Sequence, residues 1–209
     1  MALRETVIKR YGRMRRSLYK RWLRFRLKNR DFTLFASNCV GGIISSNLGQ
    51  RFNSPTIQLL IGPQDYVRFL ERLEHYLSCE LREIETDKPY PVGMLDDVRI
   101  DFIHYPDFEA AKAKWEERSG RIYWDNIYII LVEPYICDRE TVERFDALPH
   151  AHKVFLARRE YPGLASVHFM PEAQANGGFR HGLTTYKGGG VEIRRWIDDF
   201  DYVAFLNQK

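Results

Sequence analysis

Cys39 stands where a short run typical of a β-strand, residues 32–37, gives way to a short helical run. The start of a helix leaves backbone N–H groups free, and the helix dipole there favours an anion or a thiolate. The two glycines that follow, Gly41 and Gly42, have no side chain to keep a substrate away from the backbone. The spacing therefore predicts an active site in which Cys39 or Ser37 is a nucleophile or anchors a substrate.

A structural role for the same residues stays open. A lone cysteine after a strand is more often a small buried apolar side chain than a nucleophile. Asn38 and the two glycines are also the residue types that build a tight turn. We therefore interpret Cys39 in two ways: as a reactive thiol with Asn38, Gly41 and Gly42 at the substrate, or as part of the core.

His104 is the natural general base for such a nucleophile, because it ends a second strand-like run, residues 98–104. In a parallel α/β sheet, ligands bind beyond the carboxyl ends of the strands, which places Cys39 and His104 on one rim. Asp107 either orients the imidazole or caps the helix predicted over residues 108–118. A histidine that is hydrogen-bonded locally in a turn is the alternative.

A second polar cluster precedes the most apolar run of the chain, residues 127–132. It consists of Arg118, Arg121, Asp125 and Asn126. The two arginines are suited to a phosphate or a carboxylate, although arginines that close a helix also serve as partners of its dipole. Because these residues precede a strand, the rim rule places them at the opposite end of the sheet from Cys39, unless their loop folds over.

The elements that must position these side chains alternate between apolar runs and amphipathic helices. We expect strands at residues 32–37, 56–61, 80–86, 98–104, 127–132 and 153–157. Helices are predicted after residues 62, 107 and 138, with Pro63, Asp107 and Asp138 at their starts. Such alternation predicts an α/β fold, a mostly parallel sheet with helices on both faces in a three-layer sandwich, with the 127–132 strand central.

The composition limits the classes of protein to consider. A chain of 209 residues with 44% hydrophobic and 29% charged residues is typical of one soluble globular domain. Its three cysteines form no CxxC pair, so we expect no metal, no disulfide framework and a reducing, cytoplasmic location. No GxSxG, HExxH or GxGxxG motif occurs, which removes the commonest sequence evidence for hydrolases, zinc proteases and dinucleotide enzymes.

The basic residues are concentrated in residues 1–30, which hold 12 of the 32 Lys and Arg residues and one of the 28 acidic residues. The remaining chain is acidic, with 20 basic against 27 acidic residues, so we expect no nucleic-acid partner. We predict a basic amphipathic helix over residues 1–30 and a single α/β domain over residues 31–209. The apolar stripe of this helix consists of Leu3, Val7, Tyr11, Met14, Leu18, Trp22 and Phe25.

Three roles fit this helix. In the first, residues 1–28 bind an anionic membrane surface, on the inner face of the membrane. Alternatively, the helix packs on its own domain or on a second subunit, which would make the protein a homodimer. An Arg-rich segment poor in acidic residues is also typical of an organellar transit peptide.

Short motifs spread along the chain resemble a bacterial family known as domain of unknown function nineteen-nineteen. They are Ser37-Asn38-Cys39 with Gly41-Gly42, Ser54-Pro55-Thr56 before Leu59-Leu60-Ile61, Tyr90-Pro91-Val92-Gly93, His104-Tyr105, Trp115 with Arg118 and Arg121, Asp125-Asn126 and Phe155. The resemblance covers roughly residues 30–207, with the basic helix outside it or an embellishment.

The resemblance implies a role in exopolysaccharide or capsule biosynthesis, since members of the family carry that label. It also implies one shared site, formed by Cys39, His104, Arg118, Arg121 and Asn126. The family pattern is Asn-Cys-Trp-Gly-Gly, and Val40 here replaces the aromatic residue, which argues against stacking at that point. The position of Cys39 is similar to that of the nucleophile in polysaccharide acyltransferases and esterase-like folds.

Two functions follow as expectations. The first is acyl transfer, from an acyl-CoA donor, to a polysaccharide or its lipid-linked sugar precursor. There, His104 is the base, the N–H groups of residues 40–42 form the oxyanion hole, and Arg118 and Arg121 hold a phosphate. The second is a glycan- or sugar-nucleotide-binding protein, or a glycosyl or phosphoryl transferase, in which Cys39 is structural.

Overall fold

The computed structural model describes residues 2–188 and 192–208, with side chains from residue 10 onward. These residues form seven strands: β1 (Thr33–Ala36), β2 (Leu81–Ile84), β3 (Val92–Leu95), β4 (Val98–Asp101), β5 (Ile127–Val132), β6 (His152–Ala157) and β7 (Val167–Phe169). They also form eight α-helices: α1 (Ala2–Arg26), α2 (Val40–Leu48), α3 (Pro63–Glu71), α4 (Leu73–Ser78), α5 (Phe108–Ser119), α6 (Arg139–Ala147), α7 (Pro171–Ala175) and α8 (Tyr202–Leu206).

The strands divide into two sheets, a parallel sheet of order β1-β5-β6-β7 and an antiparallel sheet of order β2-β3-β4. The expected α/β class is confirmed, and so are the strand near residues 80–86 and the interior place of β5. The prediction placed all strands in one mostly parallel sheet. In the structure four of the seven strands form the parallel sheet, and the other three form the antiparallel one. The run 98–104 pairs as β4 in the antiparallel sheet.

The predicted strand over residues 56–61 is wrong. Gln58 has a φ of +65°, in the left-handed region that interrupts an extended strand. The Oγ1 atom of Thr56 accepts the Ala36 N–H at 3.1 Å, in the place where a neighbouring strand would offer a carbonyl oxygen. Leu60 makes an isolated bridge to Asp101 in this segment. The chain therefore passes β1 as a folded loop.

Helix starts are where the sequence was most informative. Pro63 begins α3, and the side chains of Asp107 and Asp138 accept the backbone N–H groups of Ala110 and Thr141, each at 2.7 Å. These bonds satisfy donors that the first turn of a helix leaves open. The single helix expected after Gly62 is instead two, α3 and α4, divided at Arg72.

Buried side chains lie on both faces of the parallel sheet. One core joins Phe35, Ile129 and Phe155 to residues of α3 to α6, and the other joins Leu34 and Ile130 to residues of α1, α2 and α8. The alternation of side chains along each strand explains why neighbouring residues enter different cores. Among the residues that the structure describes, no helix is both long and apolar enough to cross a membrane.

α1 packs on the body of the protein through a face that the apolar pattern did not predict. Leu23 and Leu27 are buried in the second core, and Arg16 is 8% exposed. The predicted stripe lies on the other side of the helix, exposed to solvent from Tyr11 to Phe25. The stripe is therefore not the face by which this helix joins its own chain.

Candidate functional site

A cleft of about 760 Å³ opens beside the first turn of α2. Asn38, Cys39 and Gly42 line one wall, together with side chains of the loop 52–60. The opposite wall comes from the C-terminal part of the chain, from residues 179–186 and from Arg195. Its first residues belong to a 3-10 helix, Gly178–His181. α1 contributes Lys20, and the loop after β4 contributes His104. The cleft thus lies beyond the carboxyl end of β1, where the strand rule places a ligand.

Asn38 holds the two walls together. Its Oδ1 atom accepts the Val40 N–H at 3.0 Å, and its Nδ2 atom donates to the Gly182 carbonyl oxygen at 3.3 Å. Gly182 has a φ of +57°, and a Cβ atom there would lie 2.5 Å from Asn38 Nδ2. A glycine at this position is therefore required both by the backbone and by the close approach of the amide.

Ser37 and Gly41 support the cleft from beneath. Ser37 is 2% exposed, and its hydroxyl accepts the Val132 N–H at 3.1 Å, which ties β1 to β5. Gly41 lets α2 approach β1 closely, because a Cβ atom there would come within 2.9 Å of the Ala36 Cβ. Neither residue lines the cleft, so both act on its shape rather than on a ligand within it.

The lining of the cleft is positively charged. Its ionisable cations are Lys20, Arg180 and Arg195, with His104 and His181 beside them. In the described part of the chain, no carboxylate lines the cleft. Burial lowers the pKa of Lys20, and the nearby Arg16, Arg24 and Arg195 lower it further. Such a concentration of positive charge favours an anionic ligand.

Cys39 lines the cleft as a neutral thiol. It is the residue immediately before α2, in a helical conformation with φ −64°. Burial raises the pKa of its thiol to about 11, which outweighs the effect expected from the helix start. At neutral pH the thiolate is therefore scarce, and Cys39 is suited to contact a ligand or to pack the wall.

His104 lies exposed in the same cleft as Cys39, as expected from the order of the strands. It follows β4 of the antiparallel sheet, so its route to the cleft differs from the predicted one. Asp107 does not serve as its partner, because the carboxylate of Asp107 caps α5. The imidazole is therefore free to meet a ligand.

Arg118 lies behind the cleft rather than in it. It is 6% exposed, and its guanidinium donates to the Tyr105 hydroxyl at 2.6 Å and to the Ile57 carbonyl oxygen at 3.2 Å. It also stacks on Phe52, which lines the cleft, with the Cζ atom 5.4 Å from the ring centroid. Arg118 thus positions the loop 52–60 from within the protein.

The remaining predicted residues lie at the amino end of the strands. Arg121 pairs with Glu117, and Asn126 donates to the Asp31 carbonyl oxygen at 2.6 Å where the chain enters β1. Asp125 is exposed in the same link. Arg121, Asp125 and Asn126 therefore lie away from the cleft that Cys39 and His104 line, whereas Arg118 contacts its wall through Phe52.

The sequence reading missed the cationic wall. Arg180 and His181 follow a glycine-rich stretch, and Arg195 lies in a segment without helix or strand periodicity. Lys20 is one of the 12 basic residues of the predicted N-terminal helix, and its position there gave no reason to place it at a ligand. The available signal was Arg180 and His181 directly before Gly182, but the Asn38 side chain that Gly182 contacts is more than 140 residues away in the chain. Across residues 2–188 and 192–208, no cluster of three or more His, Cys, Asp or Glu side chains could hold a metal ion.

Comparisons with known proteins give a family. The model of the family described as Domain of unknown function (DUF1919) matches residues 10–207, and this range includes most of α1. An uncharacterized protein of Haemophilus influenzae is 33% identical over 198 residues, which cover 94% of each chain. The similarity therefore extends into the helix that was expected to lie outside it or to be an embellishment.

Proposed function

The chain belongs to the DUF1919 family, and we propose that its members use the cationic cleft to bind a phosphate-bearing precursor of a cell-surface polysaccharide. The observation that carries the proposal is the charge of the cleft, to which Lys20, Arg180 and Arg195 contribute while no described carboxylate does. Arginine binds phosphate through paired, charge-assisted hydrogen bonds, and lysine adds a compact positive charge.

The remainder of the lining supports a sugar attached to that phosphate. Phe52 and Tyr186 contribute aromatic side chains to the lining, and the exposed Gln58 contributes an amide, a group that binds hydroxyl groups. A cleft of about 760 Å³ has the size of a site for a ligand such as a nucleoside diphosphate sugar. A lipid-linked sugar phosphate presents the same chemistry at its headgroup. The assignment to polysaccharide synthesis comes from the family resemblance.

Calorimetry with a graded set of ligands tests the proposal. A nucleoside diphosphate sugar, a sugar 1-phosphate, inorganic phosphate and the neutral sugar are each titrated into the full chain. We expect binding of the phosphorylated sugars, weakening as salt screens the charges, and none of the neutral sugar. Binding of the neutral sugar with an affinity equal to that of its phosphate would contradict the proposal.

Acyl transfer is the second candidate, favoured by the presence of Cys39 and His104 in one cleft. In this reaction His104 takes the proton of a sugar hydroxyl, and the hydroxyl oxygen attacks the carbonyl carbon of an acyl thioester. The donor thiol leaves with the proton that His104 returns. Because burial keeps Cys39 neutral, transfer without an acyl-cysteine intermediate is the version that the pKa supports.

Two variants separate the versions of this reaction. Mass spectrometry measures the acylated sugar formed from an acyl-CoA and a phosphorylated sugar. For direct transfer, His104→Gln lowers the rate by about 10²- to 10⁴-fold, and Cys39→Ser retains most of it. Loss of all activity in Cys39→Ser, with trapping of an acyl-cysteine, supports the covalent version instead. Full activity in His104→Gln excludes the base.

A further inference from the structure

α1 presents five large apolar side chains to solvent on one side of the helix. Their exposed fractions range from 49% at Trp22 to 88% at Phe25, with Tyr11, Met14 and Leu18 between them. At about 100° per residue, these five positions fall within a stripe roughly 80° wide. Isolated apolar side chains are common on protein surfaces, but a continuous stripe marks an interaction surface.

The stripe lies opposite the face that holds α1 on the protein. Leu23 and Leu27 are buried in the second core, and the Arg16 guanidinium donates to the Asp198 carboxylate at 2.8 Å. Arg24 reaches across to the end of α2, donating to the Asn47 carbonyl oxygen at 3.0 Å. These contacts fix the orientation of the helix on the protein. The stripe therefore faces solvent in a helix that is firmly held by its other side.

Arginines border the stripe on both sides. The guanidinium of Arg26 stacks on Trp22 with 4.6 Å from Cζ to the ring centroid, and that of Arg15 lies over Tyr11 at 5.6 Å. Arg10 and Arg21, both exposed, occupy the other border by the helical angle. The only acidic residue in residues 1–30 is Glu5. An apolar stripe bordered by cations is complementary to a layer whose interior is apolar and whose outer groups are anionic.

We propose that the outer face of α1 docks the protein on an anionic lipid bilayer, with the helix parallel to the surface. The apolar side chains of the stripe enter the boundary between headgroups and acyl chains, and the bordering arginines meet lipid phosphates. A second copy of the chain fits less well, because a two-fold contact would bring these arginines against their own copies. Lys20 is on the opposite side of the helix, so docking places the cleft about one helix diameter, roughly 10 Å, from the bilayer.

Vesicle co-sedimentation of the full chain tests this inference without reference to the ligand of the cleft. The vesicles contain phosphatidylglycerol in phosphatidylcholine, or phosphatidylcholine alone. We expect binding to the anionic vesicles and little to the neutral ones. Raising the salt from about 0.05 M to about 0.5 M should release the protein, since it shortens the screening length severalfold.

Variants locate the contact. Leu18→Ser/Trp22→Ser/Phe25→Ser should weaken vesicle binding about tenfold or more, because it removes three apolar side chains from the lipid boundary. Tyr135→Ser/Ile136→Ser, which changes two exposed apolar side chains in the loop after β5, is the matched control and should bind as wild type does. Circular dichroism checks that each variant is folded. Arg10→Gln/Arg21→Gln tests the border independently and should reduce the dependence on salt.

Three outcomes would overturn the proposal. The intact chain fails to bind anionic vesicles at low salt, or the triple variant binds as well as wild type does. In the third, analytical ultracentrifugation finds a dimer that the triple variant converts to a monomer, in which case the stripe is a protein interface.

Discussion

The side-chain amide of Asn38 donates to the carbonyl oxygen of Gly182 at 3.3 Å, and this contact joins the two walls of the cleft. Asn38 also accepts the first N–H of α2, so the same side chain fixes the start of the helix and the opposite wall. The width of the cleft therefore depends on one amide and on the absence of a side chain at Gly182.

Gly182→Ala should lower the free energy of unfolding by about 2–4 kcal/mol and weaken the binding of any ligand in the cleft. A left-handed φ costs an alanine about 1 kcal/mol, and the new Cβ would also displace Asn38. Gly163→Ala is the matched control, since Gly163 has a φ of +87° and no atom within 4 Å of the added Cβ. Urea denaturation measures both. Equal losses in the two variants would show that the contact with Asn38 contributes nothing.

Arg16→Met should lower the free energy of unfolding by about 3–5 kcal/mol, because it leaves the Asp198 carboxylate buried without its partner. The two side chains are 10% and 0% exposed, and Arg16 also donates to Asn47 at 3.0 Å. Arg82→Met breaks an ion pair with Glu80 in which both side chains are mostly exposed, and should cost less than about 1 kcal/mol. Chemical denaturation of both variants decides whether Arg16 anchors α1.

The Cys39 thiol should react slowly with iodoacetamide at neutral pH, and its rate should rise steeply as the pH approaches 11. The reason is that burial raises the pKa of the thiol to about 11, and the thiolate is the reactive form. Peptide mass spectrometry follows Cys39 separately from Cys79 and Cys137. A rate that levels off below about pH 8 would restore the activated nucleophile that its position before a helix predicts.

Stability should fall as the pH is lowered from about 7 towards 5. Partial burial lowers the pKa of His150, and loss of hydration beside the Phe200 ring lowers the pKa of the otherwise exposed His168, both below the unfolded value of about 6.5. In this interval the unfolded chain binds more protons than the folded one, so acid favours unfolding. His150→Gln/His168→Gln should flatten the profile of unfolding free energy against pH. An unchanged slope in this variant would assign the loss to other groups.

The elements that could be predicted from the sequence are those specified by local patterns. β1, β5 and β6 follow from apolar runs, and the helix starts at Asp107 and Asp138 follow from the chemistry of capping. β3 was missed because Pro91 and Gly93 are typical of a loop, yet Gly93 lies in the strand against Leu81, where a Cβ atom would come within 2.9 Å of Cδ1. Local periodicity carries no information about such close packing.

One part of the cleft lining could be predicted from the sequence, and the other could not. Cys39 and His104 were expected together because both follow strands, and the structure places them in one cleft. Arg180 and Arg195 belong to an irregular segment whose position depends on contacts with Asn38 and α1 that are distant in sequence. Arg118 was expected at the ligand because it is an arginine, but burial and Tyr105 give it a positioning role.

The central claim is that the cationic lining binds a phosphate-bearing sugar, and removal of its charge tests this most directly. Calorimetry compares wild type with Lys20→Gln/Arg180→Gln. The control is Arg82→Gln, which removes the charge of an exposed arginine on β2, outside the cleft. Each lost charge-assisted contact should weaken binding of a nucleoside diphosphate sugar by about tenfold, and the control should leave it unchanged. Equal affinities for wild type and the double variant would contradict the account.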